Sequence, residues 1–123
     1  MNKKQETEKI EIEAILEGIQ KLKGKEILKI DLTKIDHSEC NYFIICHGTS
    51  NKHVEGIAQS VEATVEEVVG ERVWHKDGYR NGVWILLDYG TIMVHVFQEE
   101  ARMFYNLEAL WADAKVIKIE EQS

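Results

Sequence analysis

Three features of the sequence predict an α/β fold, a mixed β-sheet flanked by helices. Gly82 to Phe97 reads as a hairpin, with two runs rich in β-branched and aromatic residues, Val83 to Leu87 and Thr91 to Phe97, separated by Asp88-Tyr89-Gly90. The compact strand Tyr42 to Cys46 runs through a small-residue turn into an amphipathic helix that ends at Gly70. An amphipathic helix precedes both. A strand, a helix and a further strand in succession predict a right-handed β-α-β unit, so part of the sheet should be parallel.

In chain order, Ile12, Ile15, Leu16, Ile19 and Leu22 recur at helical spacing, and Gly24 is suited to the left-handed position that ends the helix. Glu6, Glu8, Glu11 and Glu13 near its start and Lys21, Lys23 and Lys25 near its end complement the helix dipole, which is ordinary helix design. Glu26 to Leu32 is a short strand, and Thr33 to Asn41 a polar loop. After Tyr42 to Cys46, the turn His47 to Asn51 caps a second helix whose inner side carries Val54, Ile57, Ala58, Val61, Val65, Val68 and Val69. Arg72 to His75 reads as the next strand and Lys76 to Asn81 as a connecting loop.

The hairpin follows, with Gly90 supplying a positive φ. Strand alternation places Ile92, Val94 and Val96 with Val83, Ile85 and Leu87 toward the core. Trp84, Leu86 and Asp88, with Met93, His95 and Phe97, then look outward or toward a partner. The alternative is a sheet covered on both faces, with Trp84 and Phe97 beneath a third helix. That helix is expected from about Gln98 to Ala112, with Phe104, Leu107, Leu110 and Trp111 along it. From Lys115 the tail adds a short strand through Val116, Ile117 and Ile119 and then frays, so 116–123 is expected to be a frayed tail. The 123 residues, with no repeat, no linker and no proline, are read as a single domain, 1–123.

Composition narrows the function. With 44% hydrophobic and 30% charged residues the chain is that of a globular protein. No apolar run approaches the roughly 20 residues needed to span a bilayer, and the charged N-terminus is unlike a secretory leader, so no membrane association and a cytoplasmic location are expected. A net charge of −7 argues against binding nucleic acid through its phosphates and suits a basic partner. Cys40 and Cys46 read as buried small residues rather than a disulfide.

The sequence offers little for catalysis. The strand entering Gly48-Thr49-Ser50 and a helix has the layout of a phosphate cradle, but it lacks the Walker lysine and the spaced glycines of a dinucleotide site, and helix capping serves the same residues. Asp88 stands alone on its strand, and Asp77 lies in a loop. Cys40, Cys46, His47 and His53 do not have zinc-ligand spacing, and neither a metal nor a cofactor is expected. His95 could serve as a base, though a packed or interface histidine suits its setting between two valines better. The aromatic and apolar material of Trp84, Tyr89, Met93 and Phe97, bordered by Asp88, Glu99 and Glu100, has the composition of a protein interface.

Gly82-x-Trp84, Asp88-x-Gly90 and Val94-His95-Val96-Phe97, with Arg102-x-x-Tyr105-x-Leu107-Glu108-x-Leu110-Trp111, resemble the ribosomal silencing factors, the Iojap-like family. Ile44-Ile45-Cys46 followed by Gly48-Thr49-Ser50 and His53 is a second block of the resemblance, which covers nearly everything from the first helix to Trp111. It implies a nucleotidyltransferase-like fold without the catalytic carboxylates, hence no enzyme. It also implies binding to the large ribosomal subunit through its fourteenth ribosomal protein, a basic protein on the joining side, and steric exclusion of the small subunit when nutrients run short. Carried onto this chain, the contact surface comprises Trp84, Asp88, Tyr89, Met93, His95, Phe97 and Glu99. Asn41 and His47 depart from the aspartate and the small hydroxyl residue frequent in the family, and both border the vestigial nucleotide turn. A small nucleotide-binding transferase using the Gly48 to Ser50 turn and Asp88 is the alternative reading, and a homodimer off the ribosome is compatible with the first.

Overall fold

The computed structural model describes residues 2–120. It has the expected mixed α/β architecture. Six strands, β1 (Lys25–Asp31), β2 (Tyr42–Gly48), β3 (His75–Asp77), β4 (Trp84–Asp88), β5 (Ile92–Gln98) and β6 (Lys115–Lys118), form one sheet in the order β3-β4-β5-β2-β1-β6. β2 and β5 run parallel, and every other neighbouring pair is antiparallel. The helices are α1 (Lys3–Lys21), α2 (Asn51–Val69), α3 (Glu99–Tyr105) and the single turn α4 (Leu107–Leu110).

Side-chain alternation along the central strands divides the interior in two. Ile44, Cys46, Ile85, Leu87, Ile92, Val94 and Val96 face α1 and α2 in the larger cluster, where Ile15, Ile19, Ile57 and Val61 are completely buried. Full burial of one such aliphatic side chain contributes about 1.5–3 kcal/mol. α1 and α2 meet at Gly18, where an added Cβ would lie 2.7 Å from the Cα of Val61, and Ser60 Oγ donates to the Gly18 carbonyl at 2.7 Å. On the opposite face Ile45, Phe97 and Ala101 form a second cluster with Phe43, Trp84, Met93, Leu107 and Trp111 around it. The sheet is therefore covered on both faces.

The hairpin and the second helix match expectation closely. Gly90 has φ +89°, Gly70 ends α2 in the left-handed conformation, and the Ser50 side chain accepts from the His53 N–H at the start of α2. Of the valines on the inner side of α2, Val68 is exposed.

Five expectations are corrected. The left-handed residue after α1 is Lys23 (φ 57°), while Gly24 is required because a Cβ there would lie 2.4 Å from Ile19 Cγ2. The strand expected at Arg72 to His75 is β3, His75–Asp77, an all-exposed edge strand antiparallel to β4, and the parallel partner of β2 is β5. A polar edge strand has no apolar pattern to reveal it. The single helix expected from Gln98 to Ala112 is broken at Asn106 (φ 46°, ψ 55°), a residue that tolerates the left-handed conformation. The tail does not fray from 116. β6 pairs with β1, and the Ile119 N–H donates to the Ile27 carbonyl at 2.9 Å, while 121–123 lie outside the described residues. Finally, the face carrying Met93, His95 and Phe97 does not look outward, because α3, α4 and Trp111 lie over it.

Candidate functional site

The residues expected to form a contact surface divide into buried and accessible sets. Phe97 is fully buried, and Trp84, half-buried, stacks on it with ring centroids 4.8 Å apart and planes 28° apart. Trp84 Nε1 donates to His95 Nδ1 at 3.2 Å, and the Phe43 ring meets the imidazole edge-on at 4.7 Å. His95 is only 5% exposed, and burial pulls its pKa from 6.5 down to about 4. The ring is thus neutral, with Nδ1 as acceptor and the proton on Nε2, which has no partner among the described residues. Tyr89 is buried on the other side of the sheet, in the larger cluster. Phe97, His95 and Tyr89 are therefore buried, whereas the expected contact surface placed all three within reach of a partner. Met93 and Asp88 are half-buried, and Glu99 is exposed in the first turn of α3. Asp88 Oδ1 accepts from the Gly90 N–H at 2.8 Å and so holds the hairpin turn.

The accessible apolar surface lies one element further along. Phe104 is 81% exposed and Met103 75%, with Leu110 and Tyr105 also exposed. These rings continue from the hairpin: Tyr105 packs 4.9 Å from Trp84, and Phe104 meets Tyr105 edge-on at 5.2 Å. Leu107 and Trp111 turn inward instead, with Trp111 5.6 Å from Phe43. The break at Asn106 resets the helical phase, so Leu110, in α4, does not continue the face that α3 would set for it, while Phe104 is exposed within α3 itself. Glu99 and Glu100, both exposed, start the same helix.

Arg102 holds this surface to the sheet. Its side chain is buried, with Nε donating to Glu108 Oε1 at 3.2 Å, and Nη1 lying 3.3 Å from the Lys25 carbonyl and 3.0 Å from His47 Nδ1. One guanidinium thus ties α3 to α4, β1 and β2. Nothing in the sequence distinguishes this arginine from a solvent-exposed one except its place in the motif.

The Gly48 to Ser50 turn, whose layout also allowed a phosphate cradle, caps α2 as expected. His53 Nδ1 accepts from the Thr49 N–H at 2.9 Å, Ser50 Oγ accepts from the His53 N–H, and His53 Nε2 donates to the Leu22 carbonyl at 2.6 Å. This histidine fastens the start of α2 to the end of α1. Gly48 is opposite Gln98 on β5, whereas Asp88 is opposite Met93, five residues away along β5. At the rise of an extended strand that is about 17 Å, so Asp88 and the turn do not share a site. Among the described residues no group of three His, Cys, Asp or Glu side chains is placed to hold a metal ion. Cys40 and Cys46 are free, buried in different clusters, and burial pushes both thiols up, Cys40 to about 11.

The sequence model described as "Ribosomal silencing factor during starvation" matches residues 4–123. A ribosomal silencing factor of Bacillus subtilis is 37% identical over 98 residues, covering 80% of this chain and 81% of that protein. Its counterpart from Halalkalibacterium halodurans is 31% identical, covering 89% and 92%. A mitochondrial Iojap-related protein of Arabidopsis thaliana is 35% identical over 62% of this chain and 45% of its own length. A crystal structure of a Chromobacterium violaceum protein superposes with a TM-score of 0.74 at 35% identity, covering 88% of this chain and 85% of that one.

Proposed function

The chain belongs to the ribosomal silencing factor family, and from that premise we propose that it represses translation by binding the large ribosomal subunit and blocking association with the small one. The contact is with the fourteenth protein of the large subunit, a basic protein on the joining side, and the mechanism is exclusion by bulk, with no catalytic step. Starvation is the condition in which the repression operates, and the cytoplasm is where it acts. The observation that carries this reading is the continuous aromatic surface Trp84, Tyr105, Phe104, extended by the exposed Met103 and Leu110. Large aromatics beside exposed acids, on a chain of net charge −7, suit a basic protein partner.

Of the contact residues expected from the sequence, Trp84, Met93, Asp88 and Glu99 remain in this proposal. Phe97 and His95 support Trp84 from below, and Tyr89 has no part in it. Two copies would bury the same surface off the ribosome, so a homodimer and the ribosome-bound protein exclude each other, which concentration-dependent mass measurement tests. The function itself is tested by light scattering of mixed subunits: the protein, added to large subunits first, lowers the yield of whole ribosomes. An unchanged yield at saturating protein contradicts the proposal. The transferase reading is not favoured, since the Thr49 N–H and Asp88 are both engaged and far apart.

A further inference from the structure

A cleft of about 740 Å³, remote from the aromatic surface, opens between the first half of α1, the segment after α2 and the β4-β5 turn. Its walls include Glu8, Glu11, Asn41, Glu71, Trp74 and Tyr89. Two groups there lack the surroundings that burial demands. Glu11 is 5% exposed, and its carboxyl partner is a second acid, Glu71, with which it shares a hydrogen bond. Tyr89 is also 5% exposed, and its hydroxyl has no hydrogen-bond partner among the described residues. A buried carboxyl beside a second, partly exposed acid, and an orphaned hydroxyl in the same wall, leave polar groups that a ligand could satisfy.

The rest of the cleft has complementary features. Glu8 Oε2 accepts from Asn41 Nδ2 at 2.9 Å, which fixes a third carboxylate at the rim. Trp74 is 78% exposed and stands against Gly90, where an added Cβ would lie 3.2 Å from the indole Cη2. The backbone behind it is held by the Trp74 N–H donating to the Asp88 carbonyl at 2.9 Å. An indole that pays for no burial of its own, placed beside carboxylates, is the pairing that receives an organic cation.

We propose that this cleft binds a primary alkylammonium group, with Glu11 and Glu71 as its charged partners and Trp74 as its aromatic wall. The volume is that of a small-molecule site. Among the described residues of the lining, Lys4 is the one cationic side chain, against Glu8, Glu11 and Glu71, so these side chains leave a negative excess. Glu62 and Glu66 of α2 also act on Tyr89, but each is ion-paired, with Lys76 and Arg72 respectively. Without a cation, burial and the neighbouring Glu71 and Glu8 raise the Glu11 pKa to about 8, so at neutral pH it holds a proton. A bound ammonium favours the ionised form, so binding expels that proton to the buffer. The ammonium is supplied either by a free linear diamine or by a lysine side chain.

Isothermal titration calorimetry on the full chain separates these sources and tests the site. The probes are 1,4-diaminobutane and Nα-acetyl-lysine methylamide, each titrated at neutral pH in phosphate and in HEPES, at about 0.15 M salt to screen surface charge. Saturable heat with one of the probes, together with release of nearly one proton per ligand, is expected, and the probe that binds identifies the source. Glu11→Gln should abolish the proton release and weaken binding about tenfold. Trp74→Ala, at an exposed position, should weaken it about two- to fivefold with unchanged melting. No saturable heat with either probe up to about 10 mM, a weaker range than ordinary small-ligand affinity, overturns the proposal. So does binding that keeps its affinity in Glu11→Gln, provided that variant melts as a folded protein.

Discussion

Trp84 Nε1 donates to His95 Nδ1 across 3.2 Å, joining a half-buried indole to a buried, neutral imidazole. The bond sets the tautomer of His95 and fixes the edge of Trp84, whose face stacks on Phe97 and supports Tyr105. The interior of the sheet thereby positions the exposed aromatic surface.

Truncating Trp84 should therefore affect stability as well as binding. Trp84→Ala is expected to lower unfolding free energy by about 2–3 kcal/mol, less than a fully buried tryptophan costs, because part of the ring is already in water. Urea unfolding measures this. A loss below about 0.5 kcal/mol would place Trp84 outside the second cluster.

The His95 pKa gives a pH dependence whose sign is fixed. The unfolded chain takes up a proton near 6.5, the folded one only near about 4. Stability from this group is complete above 6.5 and falls as the solution is acidified toward 4, by up to about 3 kcal/mol. Glu11 acts oppositely: its folded pKa is raised from 4.5 to about 8, so its contribution is complete below 4.5 and is lost as pH rises toward 8. Urea midpoints should thus fall between pH 6.5 and 8, and Glu11→Gln should remove that fall. His95→Phe should remove the acid-side loss.

Arg102→Ala should cost about 3 kcal/mol, because it removes the buried guanidinium that donates to Glu108 and the Lys25 carbonyl and leaves a cavity between α3 and the sheet. Arg102→Lys should not restore it, since one ammonium on a shorter reach cannot match the guanidinium fork. Hydrogen exchange across 99–110 is expected to accelerate in both variants, and unchanged exchange would contradict the anchoring role.

Asn106 carries the helix break in a left-handed conformation. Asn106→Gly should be nearly neutral, while Asn106→Val should destabilise by about 1–2 kcal/mol. Thermal melts that rank the two in the opposite order would be inconsistent with the break.

Much of the fold is legible in the sequence where one rule suffices. The hairpin from Trp84 to Gln98 shows in period-two alternation and in Gly90, and α2 shows between Ser50 and Gly70. What is hidden needs knowledge of neighbours. Alternation puts Met93, His95 and Phe97 on one face, but only the path of α3 and α4 decides that this face is interior. His75–Asp77 pairs through its backbone and carries no apolar side chain to announce a strand. In the accessible part of the candidate surface, the position of Leu110 follows from Asn106 leaving the helix, which helical periodicity alone does not show, and Phe104 is exposed in the short helix before it. Trp84 stands out in the sequence through the motif, and the structure leaves it half-buried at the edge of that surface. The role of Arg102 as a buried anchor does not stand out, because burial of an arginine is decided by partners distant in the chain.

The most direct test of the central claim is sedimentation of isolated large subunits with the wild-type chain and with Phe104→Ala. Phe104 is 81% exposed, so the variant should melt as the wild type does. The account predicts that the wild type cosediments and that Phe104→Ala weakens the association by about 2 kcal/mol, roughly thirtyfold. Cosedimentation of Phe104→Ala at wild-type affinity, or failure of the wild type to cosediment at all, would contradict it.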